Sequence, residues 1–161
     1  RDHSVISVIE RKGEQILLRH CNQFKLKTPY ASVIGYTKVL CDHWKYVRRA
    51  LLDKTGLGDY IVEDTKNSGI PGVEGINFTE PKKEEIATAL KQAMVDGRFW
   101  IPFDTELINE LNIERFELTK AGKIRFSHPE GTHDDRFWAT ALSVYAATVG
   151  REEPSRLVRA F

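Results

Sequence analysis

Residues Val47 to Phe78 read VRRALLDKTGLGDYIVEDTKNSGIPGVEGINF, and their punctuation decides the fold. VRRALLD is short, apolar at its end and stopped by the glycine-containing KTGLGD, which predicts a buried strand ending at Asp53. YIVEDTKN predicts a short helix closed by Gly69, and VEGINF, Val73 to Phe78, predicts the next strand. Strand, helix and strand in that order imply a parallel pairing through a crossover, hence a mixed α and β class. Asp53 then sits at the carboxyl end of a parallel strand, the place where open sheets of this kind gather functional residues.

Working outward, HSVISVIER (His3 to Arg11) is β-branched and alternating, and a KGE turn leads to QILLRHCNQF (Gln15 to Phe24), an antiparallel hairpin. The spacing of Val33, Leu40, Cys41 and Trp44 predicts an amphipathic helix from Pro29 to about Trp44, with Pro29 in its first turn. Beyond the central unit, Ile86, Ala89, Leu90, Ala93 and Met94 form the stripe of a helix that begins near Pro81 and ends at Gly97. FWIP precedes a short helix around Thr105 to Leu111. RFELTKAGKIRFS then alternates on both sides of Ala121-Gly122, a second hairpin.

GTHDDRFWATALSVYAA, residues 131 to 147, opens the last helix with two aspartates. Trp138, Ala139, Ala141, Leu142, Tyr145 and Ala146 make its core-facing stripe. Two readings of the acids compete. Asp134 or Asp135 caps the helix by accepting otherwise unpaired backbone N–H groups, or the pair joins Asp53 at a metal or catalytic site. Three converging carboxylates with no paired lysine repel one another unless a cation neutralises them. Hard oxygen ligands select Mg²⁺ or Mn²⁺, and two such ions can activate a water and stabilise the leaving oxygen of a phosphodiester.

The whole composition sets bounds. The 161 residues, 41% hydrophobic and 29% charged, fit one globular domain. Lysine and arginine number 24 against 23 acids, so any nucleic-acid surface is local rather than global. Cys21 and Cys41 form neither a metal-ligand spacing nor a disulfide framework, which favours a reducing, intracellular compartment. No apolar run is long enough to span a bilayer and no signal-peptide pattern opens the chain, which starts at Arg1 without methionine as an excised fragment does. There is no repeat, low-complexity segment or internal linker, and only REEPSRLVRAF, after Gly150, loses the pattern.

LLDKTGLGDYIVEDTK, INFTEPKKEEIATALKQAMVDGRFWIP, ELINELNIERFELTKAGKIRFSHPEGTHDDRFWATALSVYAA and the opening RDHSVISVIE resemble, in their positions along the chain, the nuclease domain of tailed-phage large terminase subunits. The resemblance runs to about Ala147, and its D-K-T-G-L-G and H-D-D blocks are specific jointly. It implies a ribonuclease H-like mixed sheet flanked by helices, with an additional β-hairpin before the last helix. It also implies cutting of double-stranded concatemeric viral DNA during genome packaging, by an acidic cluster holding two Mg²⁺ or Mn²⁺ ions. Asp53 matches the family's strand-four aspartate and Asp134 and Asp135 its last-helix acids, Asp135 being the more direct ligand. Asp2 matches a secondary aspartate, an auxiliary or second-ion ligand. The family's first catalytic aspartate lies on a strand upstream of Arg1, so residues 1–149 are expected to be the nuclease domain without that strand and 150–161 a tail. Partners implied are the ATPase motor domain, the portal protein and the small terminase, in the host-cell cytoplasm and with no membrane.

Several residues carry both a structural and a functional reading. Gly56 and Gly58 permit a tight turn or the close approach of a DNA phosphate, and Lys54 goes with either. His133 orients a carboxylate, contacts phosphate or is simply an exposed loop residue. Arg115, Lys120, Lys123 and Arg125 of the second hairpin track a DNA backbone, as the similar hairpin of the family is thought to do, or form a solvated face with Glu114 and Glu117. Lys82 and Lys83 read as solvated helix charge, and His3, His20, His43 and His128 show no ligand spacing. The rival functions are a ribonuclease H-like junction resolvase or recombinase, which would lack the D-K-T-G-L-G context, and a docking module for portal or small terminase in which the acids merely cap.

Overall fold

A computed structural model describes residues 3–44, 46–120 and 124–149. The elements follow the expected order: β1 (Val5–Lys12), β2 (Gln15–Gln23), α1 (Tyr30–His43), β3 (Ala50–Asp53), α2 (Tyr60–Asn67), β4 (Val73–Ile76), α3 (Glu80–Val95), β5 (Phe99–Trp100), α4 (Thr105–Ile113), β6 (Arg115–Leu118), β7 (Ile124–Ser127) and α5 (Asp135–Thr148). Asp2, Lys123 and the tail 150–161 lie outside the described residues.

β1 and β2 pair antiparallel from Val5↔Gln23 to Lys12↔Gln15, with an irregularity between Val8 and Ile9. Gly13, at φ 61°, supplies the left-handed backbone that this two-residue turn needs. β5, which no sequence pattern marks, pairs parallel to β2 through Ile16↔Phe99 and Leu17↔Trp100 and makes this sheet mixed. The expected β-α-β unit is present: β3 and β4 are parallel from Ala50↔Val73 to Asp53↔Ile76. α2 packs closely on it, because a Cβ at Gly75 would stand 2.6 Å from Val62 Cγ2 and 2.8 Å from Lys54 Cδ. β6 and β7 form the second hairpin.

The main core joins Ile16 of β2, Ile86, Leu90 and Ala93 of α3, and Phe137, Ala141, Leu142, Val144 and Tyr145 of α5. Ile61, Val62, Ile70 and Val73 make a smaller core under α2. Met94 departs from the expected stripe and is 45% exposed. At 100° per residue it lies about 80° around α3 from Ile86, on the flank of the seam that faces α5. On α5 the buried seam is Phe137, Thr140, Ala141, Val144 and Tyr145 with Leu142, while the expected Trp138, Ala139 and Ala146 are half-buried.

α5 packs on β1, β2 and β3 and against α3, so it bridges the β1-β2-β5 sheet and the β3-β4 pair. Ser7 and Ser143 hydroxyls meet at 2.8 Å, and Arg49 donates through Nη1 to the carbonyls of Val149 at 2.6 Å and Ala146 at 3.2 Å. Between the sheets runs a cleft of ≈ 1690 Å³. Consecutive residues of β1 and of β3 line it, whereas a strand seen face-on presents only alternate residues. Among the described residues β1 pairs only with β2 and β3 only with β4, so two open strand edges border this cleft and α5 underlies it.

Candidate active site

Asp53 ends β3 at the mouth of the cleft. Its Oδ1 accepts the Thr55 N–H at 2.8 Å, and Thr55 Oγ1 in turn accepts the Phe78 N–H at 2.7 Å, which ties the βα turn to the end of β4. Asp53 enters no ion pair among the described residues. The turn needs its glycines: Gly56 and Gly58 both have φ 76°, and the Leu57 and Gly58 N–H groups return to Lys54 O. No atom lies within 4 Å of where their Cβ atoms would be, so the glycine face is open. The Lys54 ammonium is engaged by Asp59 Oδ1 at 2.5 Å, which also holds the Asp59 carboxyl below its usual range.

The Asp134 side chain does not cap α5. Asp134 is the N-cap residue, yet its side chain bonds no backbone N–H of the first turn, unlike Asp104, whose Oδ1 accepts from Glu106 and Leu107 at the start of α4. Glu110 of α4 does that work for α5: its Oε2 accepts the Arg136 N–H at 2.7 Å. Burial pushes the Glu110 carboxyl upward, and the Arg136 N–H and guanidinium partly offset it. For Asp134 the capping reading is thereby corrected. An acid 24 residues upstream of Asp134 leaves no spacing signal in the sequence, so Glu110 was not foreseen.

The two aspartates face different ways. Asp135 Oδ2 accepts the His3 N–H at 3.1 Å and so looks toward the start of β1. The His3 ring donates through Nδ1 to Phe24 O at 2.8 Å and stands edge-on to the exposed His133 ring, 5.6 Å away. Asp134 Oδ2 accepts the Trp138 indole N–H at 2.8 Å and lies 3.3 Å from His128 Nδ1. Trp138 packs against Phe78, Phe126 and Phe137 with ring centroids 5.1 to 5.6 Å apart, a rigid support for the helix start.

Asp53, Asp134 and Asp135 therefore line one cleft, together with His3, Thr55 and Gly56. Their oxygens fit a hard divalent cation in kind. They do not all lie within 4.8 Å of one another; the acid and histidine group that does, among the described residues, is Glu114, His128 and Asp134. His128 thus belongs to a cluster that its sequence spacing did not show. Arg115 and Lys120 are exposed on the second hairpin; the Arg125 side chain and all of Lys123 lie outside the described residues. Among the described residues no helix is long and apolar enough to cross a membrane.

A mixed sheet, a parallel β-α-β unit and a last helix that brings acids to the strand end define a ribonuclease H-like fold. Solved structures carry that description further. The chain superposes on the large terminase nuclease from thermophilic phage G20c with bound magnesium, with TM-score 0.72 and 19% identity over 89% of this chain and 81% of that one. The cobalt-bound form of that nuclease gives the same values. The large terminase nuclease domain of Thermus phage P74-26 gives TM-score 0.69 and 18% identity over 93% of this chain and 82% of that one. The fold of this chain is that of phage large terminase nuclease domains. No protein-family model matches the sequence and no curated protein matches it.

Proposed function

We propose that the chain is a divalent-metal-dependent endonuclease domain that cuts double-stranded, concatemeric viral DNA during genome packaging. The observation that carries this reading is that Asp53, Asp134 and Asp135 line one cleft while Glu110, not the Asp134 side chain, caps the start of α5. Asp53 and Asp135 hold the ions, steered by the Thr55 and His3 N–H groups, and Asp134, turned toward His128, assists. Mg²⁺ or Mn²⁺, bound as a pair, supplies an activated water and charge for the leaving oxygen. Asp2 serves as an auxiliary ligand. The open face of Gly56 and Gly58, with Lys54 and His133, meets a phosphate, and Arg115, Lys120, Lys123 and Arg125 track the duplex backbone. Because backbone contacts position without reading sequence, cutting is weakly sequence-dependent.

A further strand and aspartate, which the terminase resemblance implies, would enter this cleft. Its two borders are open β edges whose N–H and C=O groups an added strand would satisfy. In this reading residues 1–149 form the nuclease domain. It works beside the ATPase motor domain, portal protein and small terminase in the host-cell cytoplasm. A portal docking module with capping acids is disfavoured by Glu110, and a junction resolvase or recombinase by the D-K-T-G-L-G turn.

Plasmid nicking with Mn²⁺, Mg²⁺ or EDTA tests the proposal, alongside Asp53→Ala, Asp135→Ala and a chain extended upstream by one strand. Metal-dependent cutting that either substitution abolishes is expected, with the extended chain more active. Folded protein that cuts in neither form overturns the nuclease reading.

A further inference from the structure

The second acidic cluster stands apart from Asp53 and is built at a junction. Glu114 lies between α4 and β6, His128 directly follows β7, and Asp134 precedes α5. Both feet of the second hairpin thus meet the start of the last helix. One ligand atom from each residue falls within 4.8 Å of the others: His128 Nδ1 is 3.3 Å from Asp134 Oδ2 and 3.6 Å from Glu114 Oε2.

Glu114 points to a ligand independently of that clustering. Its side chain is 3% exposed, and neither carboxylate oxygen accepts a hydrogen bond from the described protein. The 3.6 Å to His128 is too long for one. A buried carboxylate without donors is costly, so such a group normally has a proton or a cation. Lys83 shares this corner, but it is seated over the Trp138 ring at 5.4 Å and its ion pair is with Glu80 at 4.0 Å.

We propose that Glu114, His128 and Asp134 form a second cation site, selective for zinc-class ions. An imidazole nitrogen with two carboxylates is a donor set suited to Zn²⁺, with a fourth position for water, whereas the all-oxygen set around Asp53 suits Mg²⁺ or Mn²⁺. The bound ion fastens the hairpin to the helix start and fixes Asp134 from behind. The site does not depend on the nuclease reading, since a catalytically inert chain would bind the same ion.

Titration of the full chain with Co²⁺, followed by visible absorption and then by competition with Zn²⁺, tests it. One equivalent of Co²⁺ should give absorption bands with a nitrogen-ligand signature. These should persist in the Asp53→Ala, Asp135→Ala double variant and weaken at least about tenfold in affinity in His128→Ala and Glu114→Gln. Zn²⁺ in large excess over its dissociation constant should raise the melting temperature of the parent by about 5 °C or more and leave that of Glu114→Gln unchanged. Glu114→Gln is nearly isosteric and gives the reading even where His128→Ala fails to fold. Bands that vanish in the double variant but survive in His128→Ala overturn the site, as does folded parent protein that shows neither bands nor a Zn²⁺ shift.

Discussion

Replacing Glu110 by alanine should loosen the start of α5 more than its position on a different helix suggests. The side chain is 12% exposed, and its Oε2 takes the Arg136 N–H at 2.7 Å while Oε1 lies 3.7 Å from Arg136 Nε. A charge-assisted bond to a helix N-terminus contributes about 2 kcal/mol. Burial of the carboxylate, which pushes its pKa up, offsets part of that when the group is removed. A net loss of about 1.5 kcal/mol corresponds to a drop of about 3 to 6 °C in melting temperature for a chain of this size. Glu110→Gln keeps an acceptor oxygen and should lose less than half as much. Thermal unfolding at pH 7 by circular dichroism, with chelator present, measures both. An alanine variant that melts within 1 °C of the parent would show that α5 is terminated by other groups.

Other substitutions probe the frame around the cleft. Gly75→Ala forces a methyl to within 2.6 Å of Val62 Cγ2 and should cost about 1 to 3 kcal/mol in urea unfolding, with the β-α-β unit most affected. Arg49→Ala removes the donors to Val149 O and Ala146 O together with the pair to Glu74, and hydrogen exchange at the end of α5 should quicken about tenfold or more. Glu114 has its pKa raised to about 7, first by burial and then by the Asp134 charge. With metal chelated, the folded protein holds an extra proton between the usual carboxylate range and pH 7, so stability falls as pH rises through that window. Glu114→Gln should therefore be the more stable protein at pH 8 and no more stable at pH 4, by thermal unfolding; greater stability of the parent at pH 8 would contradict this.

What could be read from the chain beforehand was whatever local punctuation controls. The glycines after Asp53 and after Asn67 marked the β-α-β unit, and the Asp pair before an apolar run marked the start of α5. β5 escaped notice because two residues carry no periodicity; the pairing of Phe99 and Trp100 with β2 is set by tertiary contact. Glu110, Glu114 and His128 escaped for a related reason. Each is an isolated polar residue whose partner lies 6 to 26 positions away, brought near only by the path of α4, the hairpin and α5. The aspartates were legible as a choice between capping and chemistry, and a residue on another helix takes the capping bond that the Asp134 side chain does not make.

The contacts that close the cleft join the two ends of the chain. His3 meets Asp135 across 132 positions and Ser7 meets Ser143 across 136. Pairings of such range form late, after much loop entropy has been spent. During synthesis β1 and β2 must wait, with an edge unprotected, until α5 has left the ribosome. Asp134 and Asp135 ride on that helix, so a nascent chain would not bring them to the cleft with Asp53 until nearly every described residue had been made. The order of translation would thus delay the assembly of the acidic cleft until the fold that holds it is complete.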